Sequence, residues 1–237
     1  MHAYSKRTIT LMLVSAIALA AQSSVGMAER QPKNNPVGAG WDSKVKQPDT
    51  QQAGILTPEQ MNSIEMINSY FSNISNLKGV FLQTNPDKKV QRGKFYLMRP
   101  GRFRFDYNRP SRQVIISDGQ YLAIQDLDLK NEDVYGLENT PFRILLRDNV
   151  DLVRDAKILE VQQSDQQIAV TISDKSPDAP GQITIYLKAL PEPTLAGWVT
   201  TDVQGGVTKV EVSDLERPEQ LNERLFERTK LFMKSIQ

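Results

Sequence analysis

The sequence predicts a mainly β (α+β) fold, in which one antiparallel sheet is strongly curled or nearly closed and carries helices on its apolar face. Three observations predict it. After Gly79, apolar residues recur at every second position in about nine to eleven short segments at hairpin spacing. Tight-turn dipeptides, Asp118-Gly119 and Gly205-Gly206, punctuate those segments. Only two stretches carry the three-to-four-residue period of a helix instead.

The first of these stretches opens the ordered chain near Ile55. Thr57-Pro58-Glu59-Gln60 combines an N-cap threonine, a proline at the first helical position and a glutamine three residues after the cap. Met61, Ile64, Ile67, Phe71 and Ile74 follow as one apolar stripe, which predicts a helix to about Asn76. Asn62, Ser63, Asn68, Ser69 and Ser72 face elsewhere.

Strands follow in order. Val80 to Gln83 open the first, and Phe95, Leu97 and Arg99 share one face of the second. Pro100-Gly101 turns the chain into a third, where Phe103, Phe105 and Tyr107 lie opposite Arg102, Arg104 and Asp106. Val114 to Ile116 form a fourth, and Tyr121 to Gln125 a fifth, with Leu122 and Ile124 on one face. Later strands are centred on Ile168/Val170/Ile172, Ile183/Ile185/Leu187, Trp198–Val203 and Val207–Val212. Pro177-Asp178-Ala179-Pro180 marks a loop. The second helical stretch interrupts this meander: Thr140-Pro141 reads as cap plus first helical residue, and Phe142, Leu145 and Leu146 fall on one edge.

The amino-terminal part is different in kind. Lys6 and Arg7 precede a mostly apolar run from Thr8 to Ala21, and small residues follow, with Gly26 and Ala28 placed like the −3 and −1 positions of a cleavage site. This is the pattern of a secretory signal peptide over residues 1–28. The run is shorter than the roughly 20 residues a membrane-spanning helix needs. Residues 29–54, rich in Gln, Pro, Asn and Gly, read as a flexible leader. Trp41 there is a stray aromatic or a docking anchor.

Composition excludes several chemistries. The chain has no cysteine, and its one histidine is His2, inside the signal pattern. Ser-His-Asp and Cys-His machinery, zinc sites built on His or Cys, and thiol-anchored lipid therefore have no residues to use. No phosphate-cradling G-x-x-x-x-G-K-[ST] loop occurs. The formal charge of +1 gives no electrostatic reason to expect nucleic acid. No metal or cofactor is expected. A carboxylate-pair hydrolase stays formally open, on residues common to any surface.

The runs "RGKFYLMRPGRFRFDYNRP", "QVIISDGQYL" and "NTPFRILLRDN", in that order, resemble the LolA family of periplasmic outer-membrane lipoprotein carriers. The resemblance covers roughly residues 60–213 and makes residues 55–237 a lipid-binding half-barrel. It implies an incomplete antiparallel β-barrel of about nine to eleven strands with a helical lid. Acyl chains would enter an apolar interior lined by Phe95, Leu97, Phe103, Phe105, Tyr107, Ile115, Leu122, Ile124, Ile183 and Ile185. The lid helix would carry Thr140, Pro141, Phe142, Leu145 and Leu146. Arg99 matches the family arginine that projects inward and hydrogen-bonds to lid backbone, a lid latch. The ending "ERPEQLNERLFERTKLFMKSI" departs from the family's common carboxy-terminal pattern.

The residues alone leave two readings open. Arg99 precedes Pro100 at a strand end, where a long cation ordinarily reaches solvent. Phe103 and Phe105 would look the same in a solidly packed barrel.

The resemblance implies a monomeric, non-enzymatic periplasmic carrier without cofactors. Its partners would be acylated lipoproteins, an inner-membrane ABC-type lipoprotein-releasing transporter and a LolB-type outer-membrane acceptor. The alternative is a lipid- or lipoprotein-sensing module of the same fold without a transport role. Sensors of that kind carry a transmembrane tether and a further domain, which are not expected after residue 28. The lipid-anchored acceptor itself needs a cysteine, which this chain lacks.

Overall fold

The computed structural model describes residues 56–228. The signal pattern, the leader, Trp41 and the last nine residues lie outside them.

The chain opens with α1 (Pro58–Ser72), and the capping box read from the sequence is present: Gln60 N–H donates to Thr57 Oγ1 and Thr57 N–H to Gln60 Oε1. The helix ends earlier than its apolar stripe suggests. Asn73 caps it, and Asn76 already belongs to β1 (Asn76–Thr84), which therefore starts before Gly79. Ile64, Ile67, Phe71 and Ile74 are buried, whereas Met61 is 42% exposed. Ser63 and Asn68, assigned to the outer side of the helix, are buried as well. The helix is gripped on a second side: Ser63 Oγ donates to Gln163 Oε1, and Asn68 Oδ1 accepts Leu152 N–H at 3.0 Å.

Ten more strands follow: β2 (Val90–Met98), β3 (Arg102–Tyr107), β4 (Gln113–Asp118), β5 (Tyr121–Asp126), β6 (Asn131–Gly136), β7 (Ala156–Gln163), β8 (Gln167–Asp174), β9 (Gln182–Lys188), β10 (Thr194–Thr201) and β11 (Val207–Glu216). They form one eleven-stranded antiparallel sheet in the order β6-β5-β4-β3-β2-β1-β11-β10-β9-β8-β7. The first and last strands pair, β1 with β11, at the centre. The edges β6 and β7 do not pair with each other, so the sheet curls without closing. One contiguous core fills its concave side and takes in the apolar face of α1.

Two of the turns meet. Gly101 has φ +71°, and a Cβ there would lie 2.9 Å from Gly119 Cα, so the β2–β3 and β4–β5 turns touch where only glycine fits. The β4–β5 hairpin closes through Gly119-Gln120, one residue later than the Asp-Gly pair suggests, and Asp118 Oδ1 accepts the Gln120 and Tyr121 N–H groups.

The chain between the two open edges bridges them. Residues 137–155 leave β6 and return to β7 through two 3-10 turns, Leu137–Asn139 and Pro141–Ile144, and the single-turn α2 (Leu152–Asp155). The expected lid α-helix at Thr140-Pro141 is thus a pair of 3-10 turns. Thr140 does not cap with its side chain; its hydroxyl donates back to Leu137 O at 2.8 Å. That bond turns Thr140 inward, where it is fully buried, and favours the tighter turn. After β11 the chain crosses to the convex side, where a 3-10 turn, Glu223–Phe226, lies against β3 and β4.

Candidate functional site

Alternation puts Phe95 and Leu97 of β2, Phe103, Phe105 and Tyr107 of β3, Ile115 of β4, and Leu122 and Ile124 of β5 on the concave face. The register stacks them in rows: Phe95 opposite Phe105, Leu97 opposite Phe103, Phe105 opposite Ile115, Ile115 opposite Ile124. Ile183 and Ile185 of β9 complete the far wall. Together with Phe142, Leu145 and Leu146 they surround a cavity of about 150 Å³. Thus every strand residue assigned to the apolar interior lines this cavity. Of the assigned lid residues, Thr140 and Pro141 do not; they are buried behind it.

The aromatic cluster is held by one missing side chain. A Cβ on Gly93 would sit 2.0 Å from Asp106 O and 2.6 Å from the Phe81 ring. The glycine lets that ring lie on the β2–β3 backbone, edge-on to Phe105 at 5.1 Å and to Tyr107 at 4.9 Å. Trp198 joins from the other half of the sheet. Its ring meets Phe105 at 6.0 Å and Phe142 at 6.2 Å, so it bridges the barrel wall to the covering segment. Sequence reading placed Trp198 on a strand but not in the site, because its row is fixed only by pairing with Ile185 and Val210.

Among the described residues, the lining contains no charged side chain. Five of its polar members, Gln83, Tyr107, Gln113, Thr200 and Thr208, gather at one end. Tyr107 OH donates to Gln83 Oε1 at 2.7 Å, and Gln83 Nε2 donates to Asn85 Oδ1 at 2.6 Å. Burial pushes the Tyr107 phenol pKa up, and the bond to Gln83 pulls it partly back. Gln113, Thr200 and Thr208 line the cavity too.

The covering segment is pinned by long-range bonds. Arg143, in the second 3-10 turn, donates from Nε and Nη2 to the two carboxylate oxygens of Asp174 at 2.7 and 2.6 Å. Asp174 closes β8, and its side chain is fully buried while Arg143's is 22% exposed. Asp174 Oδ1 also accepts Ser176 N–H at 2.7 Å. The bond to Asp174 is the main cause that raises the Arg143 pKa. Further along, Gly101 N–H donates to Leu146 O and Val150 N–H to Ser72 Oγ.

Arg99 differs from what the resemblance implies. Its residue is 9% exposed and all three guanidinium nitrogens are buried, yet none makes a hydrogen bond. One carbonyl of the covering segment, Leu146 O, accepts from the Gly101 backbone in the β2–β3 turn instead. Arg99 does not line the cavity. Desolvation lowers its pKa, and the negative charge of Asp148, in the covering segment, acts the other way. The solvated strand end fails equally as a description, since the group is not in solvent.

An open antiparallel sheet curled around an uncharged, aromatic-lined cavity, with a chain segment pinned across its gap, is the architecture of a β-rich binding protein for apolar groups. The chain belongs to the LolA family: the model of "Outer membrane lipoprotein carrier protein LolA" matches residues 72–229. Among curated relatives, an outer-membrane lipoprotein carrier protein of Leptothrix cholodnii is 33% identical over 102 residues, which take in 39% of this chain and 48% of that protein, about half its length. Proteins of the same description from Legionella pneumophila and Methylococcus capsulatus are each 28% identical, over 75% and 73% of this chain and 86% of theirs. A LolA superfamily protein of known structure from Nitrosomonas europaea aligns over 70% of this chain and 97% of its own, with a TM-score of 0.41 and 10% identity.

Proposed function

We propose that this protein is a periplasmic carrier that shelters the acyl chains of lipoproteins in its cavity and moves them from the inner to the outer membrane. The observation that carries this is the uncharged, aromatic-lined cavity under a segment fastened by a few identifiable bonds. Family membership and the names of the curated relatives support it. The sequence pattern of residues 6–28 supports export and cleavage near Ala28.

Energetics gives the covering segment a role. A buried methylene is worth about 0.8 kcal/mol, so two fully sheltered long chains would exceed the practical affinity ceiling near 20 kcal/mol. A cavity of about 150 Å³ holds a group on the order of a benzene ring. Taking up a long chain therefore displaces the covering segment, and the loss of its bonds offsets part of the burial term. Closure then favours release. With no nucleotide-binding loop in the chain, loading would draw on an inner-membrane ABC-type transporter, and delivery on an outer-membrane acceptor of the LolB type.

The test is purification from periplasm, mass spectrometry of the mature chain and of extracted lipid, and a two-membrane transfer assay. The expected results are a chain beginning after Ala28, co-purifying lipoprotein, and transfer to acceptor membranes. Binding without onward transfer would favour the sensing module instead.

A further inference from the structure

The polar end of the cavity has its own chemistry. Gln83 lies near the end of β1, Tyr107 ends β3, Gln113 begins β4, Thr200 is near the end of β10 and Thr208 near the start of β11. Antiparallel order brings all five to the same end of the half-barrel. Thr200 and Thr208 are a cross-strand pair. The register of Asp106 with Val114 sets Gln113 beside Tyr107. Gln83 and Tyr107 satisfy one another, but Gln113 Oε1 is buried and accepts no hydrogen bond. An unsatisfied buried acceptor on a cavity wall is costly, and a ligand donor would remove that cost.

We propose that this end is a subsite for an uncharged amide at the head of an acyl chain, with Gln113 Oε1 accepting the amide N–H and the Thr200–Thr208 hydroxyls serving the amide carbonyl. This deepens the carrier reading and rests on it. An ester offers the carbonyl but no donor, so it leaves Gln113 unpaired. A free carboxylate would meet a glutamine lone pair and no cation, because among the described residues no charged side chain lines the cavity. An alcohol supplies the donor but gives the threonine hydroxyls no carbonyl. The subsite therefore ranks acyl chains by their linkage, while the aromatic wall takes any chain of suitable length.

The test is a binding series at fixed chain length on the purified mature protein: N-methylpalmitamide, methyl palmitate, hexadecanol and palmitate, each competing with an apolar fluorophore. The amide should bind about tenfold more tightly than the ester, the fold-change that one recovered hydrogen bond brings. Palmitate should bind weakest. Gln113→Leu should abolish the amide-over-ester ratio while leaving the ester's affinity equal or improved. Equal affinity of amide and ester in the unaltered protein overturns the subsite, whether or not the variant folds. So does a Gln113→Leu protein that keeps the ratio. Alcohol bound as tightly as amide would replace the amide with a simple donor and overturn the carbonyl half of the proposal. Failure of all four to bind refutes the carrier reading and the subsite together; equal binding of all four refutes the subsite alone.

Discussion

Replacing Arg143 with Leu separates the covering segment from the barrel at its strongest attachment. The structure makes the two partners unequal. Asp174 is fully buried, so losing Arg143 leaves a carboxylate in the interior with only Ser176 N–H. Breaking a buried pair in this way costs about 3–5 kcal/mol, and the partial exposure of Arg143 argues for the lower end. Losing Asp174 instead leaves a guanidinium that can turn into water, nearer the 1 kcal/mol typical of an exposed pair. If that cost falls on the segment rather than on the whole fold, about 3 kcal/mol multiplies its open population by roughly a hundredfold, and 1 kcal/mol by about fivefold. Hydrogen exchange reads this directly at Leu145, Val150 and Leu152, whose N–H groups bond to Phe142 O, Ser72 Oγ and Asn68 Oδ1. Arg143→Leu should accelerate those amides by about two orders of magnitude, Asp174→Leu by less than one. Amides of β1 and β2 at the sheet centre should keep their protection. Equal acceleration by the two variants, or acceleration spread evenly into β1 and β2, would refute the reasoning.

Three further outcomes are expected. Gly93→Ala should lower stability by about 1–3 kcal/mol, because the new methyl displaces the Phe81 ring and strains the β2–β3 ladder; an unchanged urea midpoint would contradict this. Arg99→Leu should load acyl cargo normally and transfer it poorly in a paired loading and transfer assay, and transfer at the unaltered rate would remove Arg99 from the release step. Asp155 is held below the ordinary carboxylate range, first by the hydrogen bonds it accepts from Arg154 and then by the charges of Arg147 and Arg154. Its depressed folded-state pKa adds stability above about pH 4 that disappears as pH falls through that lower value. Asp155→Asn should therefore be less stable than the unaltered chain at pH 7, with the gap narrowing as the pH is lowered below about 4, by thermal unfolding across that range.

The central strands were legible in the sequence because one face of each is buried and the other is not. In β3, "RFRFDY" alternates without exception, and Arg104 on its convex side pairs with Asp106. The edge strands were not legible. β6, "NEDVYG", has few apolar residues and is only partly buried, since it pairs only with β5 and Tyr135 alone of its large residues packs against the core. β7, "AKILEVQQ", pairs only with β8, and a bulge between Ile158 and Glu160 breaks its alternation. Period two put the wall residues on one face of their strands, but that this face lines a cavity came only from the resemblance, since the same pattern suits a solidly packed barrel. The attachment of the covering segment could not be named in advance: Arg143 sits between Phe142 and Ile144 in a short apolar run, and its partner lies 31 residues away. Gln113 reads simply as a polar first residue of a strand, and its unpaired oxygen exists only in the folded arrangement.

Arg143, within the covering segment, and Arg99, in the β2–β3 turn, act in different balances. Arg143 is fully partnered when the segment is in place, so its bonds favour the closed, empty state. Arg99 is desolvated without a hydrogen bond, and among the described residues the charge that compensates it is that of Asp148, which belongs to the same segment. Displacing the segment moves Asp148 with it. If cargo then fills the space, the cation is left against hydrocarbon with neither water nor a counter-charge, an arrangement that costs several kcal/mol. The penalty thus falls more heavily on the loaded state than on the empty one. A leucine at position 99 would remove it from both, and the difference that the proposed release draws on would disappear. Hydrogen bonds from Arg99 to the segment are not needed for this. On the proposed carrier reading, a burial term of about 0.8 kcal/mol per methylene would make cargo almost irreversible, and the charges of Arg99 and Asp148, drawn apart when the segment moves, would bring uptake and release within reach of each other.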